Sequence, residues 1–245
     1  MTLGCNTGDT KKPCAFEGQS LESHVAGMLK LVERLPRNYY LAAVARFKAY
    51  HICISADDAK ELVRTLIVMH DFGKAYSKYQ NSFDDGCKCI RGGGKCNFYG
   101  HETLSAYATH SLFRGVQSLK TLVTLAVIRH HEAARDLLLN PFRSGDQCKI
   151  AQQDIETLRS LLSNCSRWLD SSKLNEIQFV TEQKLYRFIK EFGDTVMVSG
   201  AWLKLYSVLL APLMAADKIN ASEDRETVKR DNAYLKASRA YFGVC

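Results

Sequence analysis

A histidine and an aspartate stand side by side at His70-Asp71, inside the run VMHDFGK from Val68 to Lys74. His24 lies upstream of the pair, His101 and the doublet His130-His131 lie downstream, and Asp217 falls in a late apolar segment. Imidazole and carboxylate are the groups that hold divalent cations where water must be activated. Five of the seven histidines belong to this one ordered set. That concentration points to a metal-dependent hydrolase.

The spacing constrains how such a site is built. Neighbouring residues on a helix diverge by about 100°, so a doublet shares a target only where a helix ends. Asp71 is the natural bridge, because each of its two oxygens can bind a different ion. His24, His70 and Asp217 would complete one site; His101, His130 and His131 would complete the other. Two ions roughly 3.5–4 Å apart can clamp the attacking and departing oxygens of a phosphate ester and lower the pKa of a water. Lys74, three residues past Asp71, is a candidate to stabilise charge on a non-bridging phosphate oxygen. Asp217 follows Ala215-Ala216 in a segment that reads as buried, where a bare carboxylate is penalised by desolvation and a cation removes the penalty.

The elements that must position these residues read as helical almost throughout. Ser20 has the character of a helix N-cap before Leu21, Val25, Met28, Val32 and Leu35, with His24 on or beside that stripe. A second helix is expected over Asn38 to Tyr50. Ser55 to Asp58 reads as a capping box for a third helix that ends at His70-Asp71. Phe83 to Asn97 is the clearest loop. Gly100 precedes a helix to about Phe113 with His101 in its first turn, and Ser118 is expected to cap a helix from Leu119 to Arg129 that delivers His130-His131. Further helices are expected at about 150–163, 181–191, 195–219 and 226–240. The fold class is all-α, a compact single-domain helical bundle over 1–245, with no internal repeat. Trp202, Phe192, Tyr206, Leu209 and Leu210 are expected in the core, and His51 and His110 stand outside the ligand set.

Composition narrows the class of substrate. The chain has 245 residues, 46% hydrophobic and 24% charged, with 4 prolines and 15 glycines. Lys plus Arg is 33 against 26 for Asp plus Glu, a net charge of +7. Between Lys74 and Lys149 there are eleven basic and six acidic residues. A basic surplus around a hydrolytic site suits a polyanionic substrate, although a solvated mixed-charge surface explains the same numbers. The first sixteen residues contain no apolar signal-peptide core, and the most apolar window, Val196 to Ala216, carries Lys204 and Pro212. A cytoplasmic location without membrane association is therefore expected. Nine cysteines are present. Cys87, Cys89 and Cys96 match no common structural-zinc spacing, and a disulfide between two of these loop cysteines is favoured over a zinc site.

The ordered set His24, His70-Asp71-x-Gly73-Lys74, His101 followed by Ser105-Ala106, His130-His131 and Asp217 resembles the HD phosphohydrolase superfamily. Its nearest likeness is the HD nuclease of type I CRISPR interference, and the resemblance runs from about His24 to Asp217. It implies an all-α fold with one or two divalent ions, Mg²⁺ or Mn²⁺ with Ni²⁺ or Co²⁺ as alternatives. It further implies metal-dependent cleavage of DNA, single-stranded first, with double-stranded DNA or RNA open, in antiviral defence. The sequence has no G-x-x-x-x-G-K-[ST] loop, so the expectation is the stand-alone nuclease form. Its partners would be a separate helicase and a target-binding effector complex. One rival reading is a phosphohydrolase acting on a nucleotide or cyclic nucleotide. Another is a binding subunit with a degenerate site, which the full ligand set argues against.

Overall fold

In a computed structural model the described residues are 12–91, 96–131, 147–165, 167–197, 201–223 and 233–243. The chain opens with a short antiparallel ribbon, β1 (Cys14–Phe16) and β2 (Gln19–Ser20). It then runs through α1 (Leu21–Val32), α2 (Arg37–Lys48), α3 (Ala56–Met69), the short α4 (Ser77–Gln80), α5 (His101–Leu112) and α6 (Gln117–Ile128). The second half holds β3 (Gln147–Lys149), α7 (Gln152–Ser163), the one-turn α8 (Leu174–Ile177) and β4 (Phe179–Thr181), which pairs antiparallel with β3. It finishes with α9 (Glu182–Met197), α10 (Ala201–Glu223) and α11 (Ala233–Tyr241).

Local sequence explains most boundaries. The Ser20 side chain accepts from the Ser23 amide, and Ser55 and Asp58 form the reciprocal capping box that opens α3. α3 buries Leu62, Val63, Leu66, Ile67 and Met69, and it packs against α1, α2, α5, α6 and α10. It is the central post of the bundle, and its C-terminus is buried. That end carries His70.

Three expectations are corrected. Ser118 does not cap α6: the helix starts one residue earlier, at Gln117, behind Val116, which has no side chain able to cap. The helix expected from Thr195 begins at Ala201, because α9 continues through Thr195 to Met197. The two ribbons β1–β2 and β3–β4 were not anticipated, since strands of two or three residues leave no periodicity to read. Of the helix expected over 226–240, residues 226–232 lie outside the described residues, as do Gly92 to Lys95, Cys5, Cys245, most of the 140–147 loop and the side chain of Trp202. Phe192, Tyr206, Leu209 and Leu210 are buried as expected.

α10 contains Pro212, which removes the amide that would have bonded the carbonyl of Val208. The hydroxyl of Tyr39, on α2, donates to that same carbonyl. The missing intrahelical bond is thus replaced from a neighbouring helix, and α10 runs on to present Asp217. No helix among the described residues is long and apolar enough to cross a membrane.

The loop after α4 is held covalently. Cys14 pairs with Cys87, tying β1 to the loop, and Cys89 pairs with Cys96 within it. Cys53, Cys148 and Cys165 take no part in a disulfide. The disulfide reading of the loop cysteines therefore holds over zinc, and it gains a partner, Cys14, that spacing could not supply.

Candidate metal centre

The ligand candidates meet because helix ends meet. His70 is the residue that closes α3, still in helical conformation, whereas Asp71 has φ −104° and ψ 5°. That change of backbone re-aims the second side chain, so the doublet converges on one point as only a helix terminus allows. The chain can turn there only because residue 73 is glycine: a Cβ at Gly73 would lie 2.2 Å from the His101 carbonyl oxygen. The Gly73 amide donates to Ser105 Oγ at 2.8 Å. Gly73 and Ser105 thereby dock the first turn of α5, and with it His101, against the His-Asp turn. Gly100, at φ 81°, sets the entry to that helix.

Two groups of ligand atoms result. His24, His70 and Asp217 offer atoms all within 4.8 Å of one another, and so do Asp71, His101, His130 and His131. All but His131 and Asp217 are buried, and the Asp217 side chain is 27% exposed. Asp71 stands between the groups with its two oxygens divided. Oδ2 lies 3.4 Å from His24 Nε2 and 3.3 Å from His70 Nε2. Oδ1 lies 2.9 Å from His101 Nε2 and 3.7 Å from His130 Nε2. Asp217 Oδ1 is 3.3 Å from His24 Nε2. All seven residues proposed as ligands from sequence are thus brought together.

Hydrogen bonding fixes which ring nitrogen faces inward. His70 Nδ1 lies 2.7 Å from the Ile67 carbonyl, His101 Nδ1 2.6 Å from that of Phe98, and His130 Nδ1 2.6 Å from that of Val127. A carbonyl only accepts, so each Nδ1 carries the proton. In a neutral ring that leaves Nε2 as a lone pair. The lone pairs then face one another: His24 and His70 Nε2 are 3.3 Å apart, and so are His101 and His130 Nε2. Those of His101 and His130 also face Asp71 Oδ1, a buried oxygen with no hydrogen-bond donor. Such an arrangement repels itself unless extra protons or a cation occupy the middle.

Two of the rings, His101 and His131, are held against protonation. Burial pushes the His101 pKa down against the pull of Asp71, and burial with the neighbouring His130 and His101 pushes His131 down to about 2. Burial alone would raise Asp71, but the field of His70 and Lys74 and the contacts with His101 and His130 hold it well below the usual carboxylate range. Asp217 is likewise lowered, burial being outweighed by His24 and His70. Ionised carboxylates beside neutral imidazoles are the protonation states that a divalent cation requires. The donor set therefore fits such an ion, and the division of Asp71 fits two.

Lys74 is not on the surface. It is buried, with Nζ 2.5 Å from Asp71 Oδ2 and 4.9 Å and 5.9 Å from the ring centres of Phe98 and Phe16. Those two aromatics also pack on the site, Phe16 against His24 and Phe98 against His101. Tyr76 and Tyr79 are core residues whose hydroxyls donate to the carbonyls of Ile177 and Tyr99. They are not free to stack on bases. His51 is exposed with φ 60°, and His110 packs on Phe188 and Phe192, both outside the centre as expected. Sequence reasoning missed Asn220, whose Oδ1 lies 2.7 Å from His24 Nδ1. Its place three residues after Asp217, on the same helix face, was the available signal.

A helical bundle with a divided histidine and aspartate centre at a buried helix end defines an HD-type metal protein. Residues 12–219 match the family described as Cas3, HD domain, and the chain belongs to that family. Similar proteins include the CRISPR-associated endonuclease Cas3-HD of Saccharolobus solfataricus, 30% identical over 227 residues, covering 86% of this chain and 89% of that one. The protein of the same name from Pyrococcus furiosus is 25% identical over 225 residues, covering 85% and 91%. Among solved structures, a CRISPR-associated Cas3 HD domain protein from Methanocaldococcus jannaschii superposes with a TM-score of 0.62 at 23% identity, over 82% of this chain and 98% of that one. That likeness shows the fold. Family and relatives together make the chain a hydrolytic nuclease of a CRISPR system.

Proposed function

We propose that the chain is a metal-dependent nuclease that cuts DNA, single-stranded DNA first, and that a separate helicase and a target-binding effector complex supply the unwound strand. The observation that carries the metal reading is the set of inward Nε2 lone pairs around a divided, ionised Asp71. His24, His70, Asp217 and Asp71 Oδ2 would hold one ion; His101, His130, His131 and Asp71 Oδ1 would hold the other. Bound there, divalent ions activate water and neutralise charge on the phosphate diester. Manganese or magnesium is the first expectation; histidine-rich ligation also suits cobalt or nickel.

The rest of the work belongs to side chains. The Lys74 ammonium, set against Asp71 Oδ2 and screened from water by Phe16 and Phe98, is placed to stabilise charge developing on a non-bridging oxygen. The basic surplus between Lys74 and Lys149 supports a polymeric anion over a mononucleotide. So do the endonuclease names of the Saccharolobus and Pyrococcus relatives, nearly all of whose length this chain spans.

The test is a cleavage assay on single- and double-stranded DNA and RNA oligonucleotides, nucleotides and cyclic nucleotides, each with a panel of divalent ions. Single-stranded DNA should turn over fastest, and chelation or Asp71→Ala in a folded protein should stop it. Faster hydrolysis of a mononucleotide or cyclic nucleotide than of any oligonucleotide would overturn the nuclease reading.

A further inference from the structure

Three of the histidines in the centre have their outer nitrogen held by a backbone carbonyl, which no substitution removes. His24 is held differently. Its Nδ1 faces the side-chain amide of Asn220, with Oδ1 at 2.7 Å. An amide can present either end, so the tautomer of His24 rests on how Asn220 is held. We infer that Asn220 is a positioning residue for the metal centre: its Oδ1 accepts from His24 Nδ1–H, and this keeps the Nε2 lone pair aimed at the ion shared with His70 and Asp217. The inference deepens the metal reading above and rests on it.

The surroundings of Asn220 are shaped for that orientation. The residue is buried, three positions beyond Asp217 on α10, so one helix face supplies both a ligand and the group that orients its neighbour ligand. Gln19 Nε2 also points at Asn220 Oδ1, at 3.5 Å, which agrees with Oδ1 being the acceptor end. On the far side, α1 carries Gly27, three residues after His24. A Cβ at Gly27 would lie 2.0 Å from Asn220 Nδ2 and 3.0 Å from its Cγ. Gly27 is therefore the notch in α1 that admits the amide. Outer partners that fix a ligating imidazole typically contribute 10- to 100-fold in metal affinity.

The experiment is manganese titration by calorimetry on the full chain, with cleavage of single-stranded DNA followed in parallel. The binding step lost in His24→Ala identifies the ion concerned. Asn220→Ala should weaken that step by about 10- to 100-fold and leave the other step within about twofold. Asn220→Asp keeps an acceptor and should bind at least as tightly as the native protein. Gly27→Ala should reproduce the Asn220→Ala loss even though alanine is the better helix former. Nitrogen-15 shifts of the metal-free protein supply a readout independent of any ion: His24 should be the Nδ1–H tautomer natively and in Asn220→Asp, and lose that bias in Asn220→Ala.

Unchanged affinity in both Asn220→Ala and Gly27→Ala would sink the inference, as would Asn220→Asp binding as poorly as Asn220→Ala. If Asn220→Ala fails to fold, Asn220→Asp and Gly27→Ala decide. Native protein that binds manganese with these dependences but cuts no DNA removes the nuclease proposal and leaves the positioning role standing. Native protein that binds no ion removes the metal reading, and the tautomer measurement still decides the role of Asn220.

Discussion

The two halves of the centre are built by different means. On one side, His101 and His130 stand at helix ends, and carbonyls three residues back, of Phe98 just before α5 and of Val127 in α6, fix the rings. That half is assembled from α5 and α6, neighbours in sequence and in space. On the other side, His24 comes from α1 and Asp217 from α10, nearly two hundred residues apart, and the ring is fixed by a side chain. Loop-closure entropy must be overcome before the second half exists, whereas the first half forms once one helical hairpin has packed. Asp71 is common to both halves. The comparison teaches that one half is intrinsic to local backbone and the other to tertiary packing, so mutations and conditions should separate them.

The largest effect should come from the shared residue. Asp71→Asn should remove affinity at both halves and reduce cleavage by well over the roughly 100-fold that loss of an outer partner costs. Metal stoichiometry and turnover measured on the same folded sample check it. A variant that keeps one full ion would show that Asp71 does not bridge. His24→Ala and His101→Ala then sharpen the division: each should lose one binding step and leave the other.

Lys74→Ala comes next. Removing one preorganised cation should lower turnover by about 10²-fold while metal content stays nearly native. Lys74 pairs with the same Asp71 oxygen that faces His24 and His70, so any loss of metal should be confined to that half. Loss of both ions would recast Lys74 as a structural partner of Asp71.

The unequal construction also explains what could be read from sequence. His70-Asp71, His101 and His130-His131 were legible because each sits at a helix boundary marked by local residues: the Ser55 and Asp58 box, Gly73, Gly100, and the apolar run of α6. Their roles followed from spacing. His24 and Asp217 were legible only as members of the ordered set, since a histidine on an apolar stripe is ordinarily core. Asn220 was the faintest: only its place three residues after Asp217 sets it apart from any other polar residue on a helix. The Cys14–Cys87 pairing and the β3–β4 ribbon also escaped, being set by where distant segments meet. So did the true start of α6, at Gln117 behind an exposed Val116 that offers no cap.

The disulfides bear on stability more than on function. Chain entropy assigns about 4 kcal/mol to Cys14–Cys87, which closes a loop of 73 residues, and about 2 kcal/mol to Cys89–Cys96, which closes one of 7. Reduction should lower the melting temperature substantially, with most of the effect reproduced by Cys14→Ser. Below the new midpoint both ions should remain bound, because neither bond touches a ligand. A selective loss at the His24 half on reduction would show that β1, through Phe16, helps hold that ring.

The smallest effect concerns a histidine that belongs to neither half. His110 packs on Phe188 and Phe192, and burial, aided by Lys120, lowers its pKa to about 4. The unfolded ring titrates near 6.5. Between those values the unfolded chain binds more protons, so stability should fall as pH drops from about 6.5 toward 4, with no contribution above 6.5. His110→Phe should remove that part of the acid sensitivity. The expected change is about 2–4 °C in melting temperature, the response to roughly 1 kcal/mol at this size, because a partly exposed ring is well screened. Thermal melts of metal-free wild-type and variant protein across that range measure it. His101 and His131, which burial also lowers, should supply the rest of the slope, and further acid must strip Asp71 and Asp217 of their charge. If His110→Phe flattened the whole profile, the metal-free centre would be insensitive to acid, and the mutual repulsion of its inward lone pairs would have to be relieved by something other than protons.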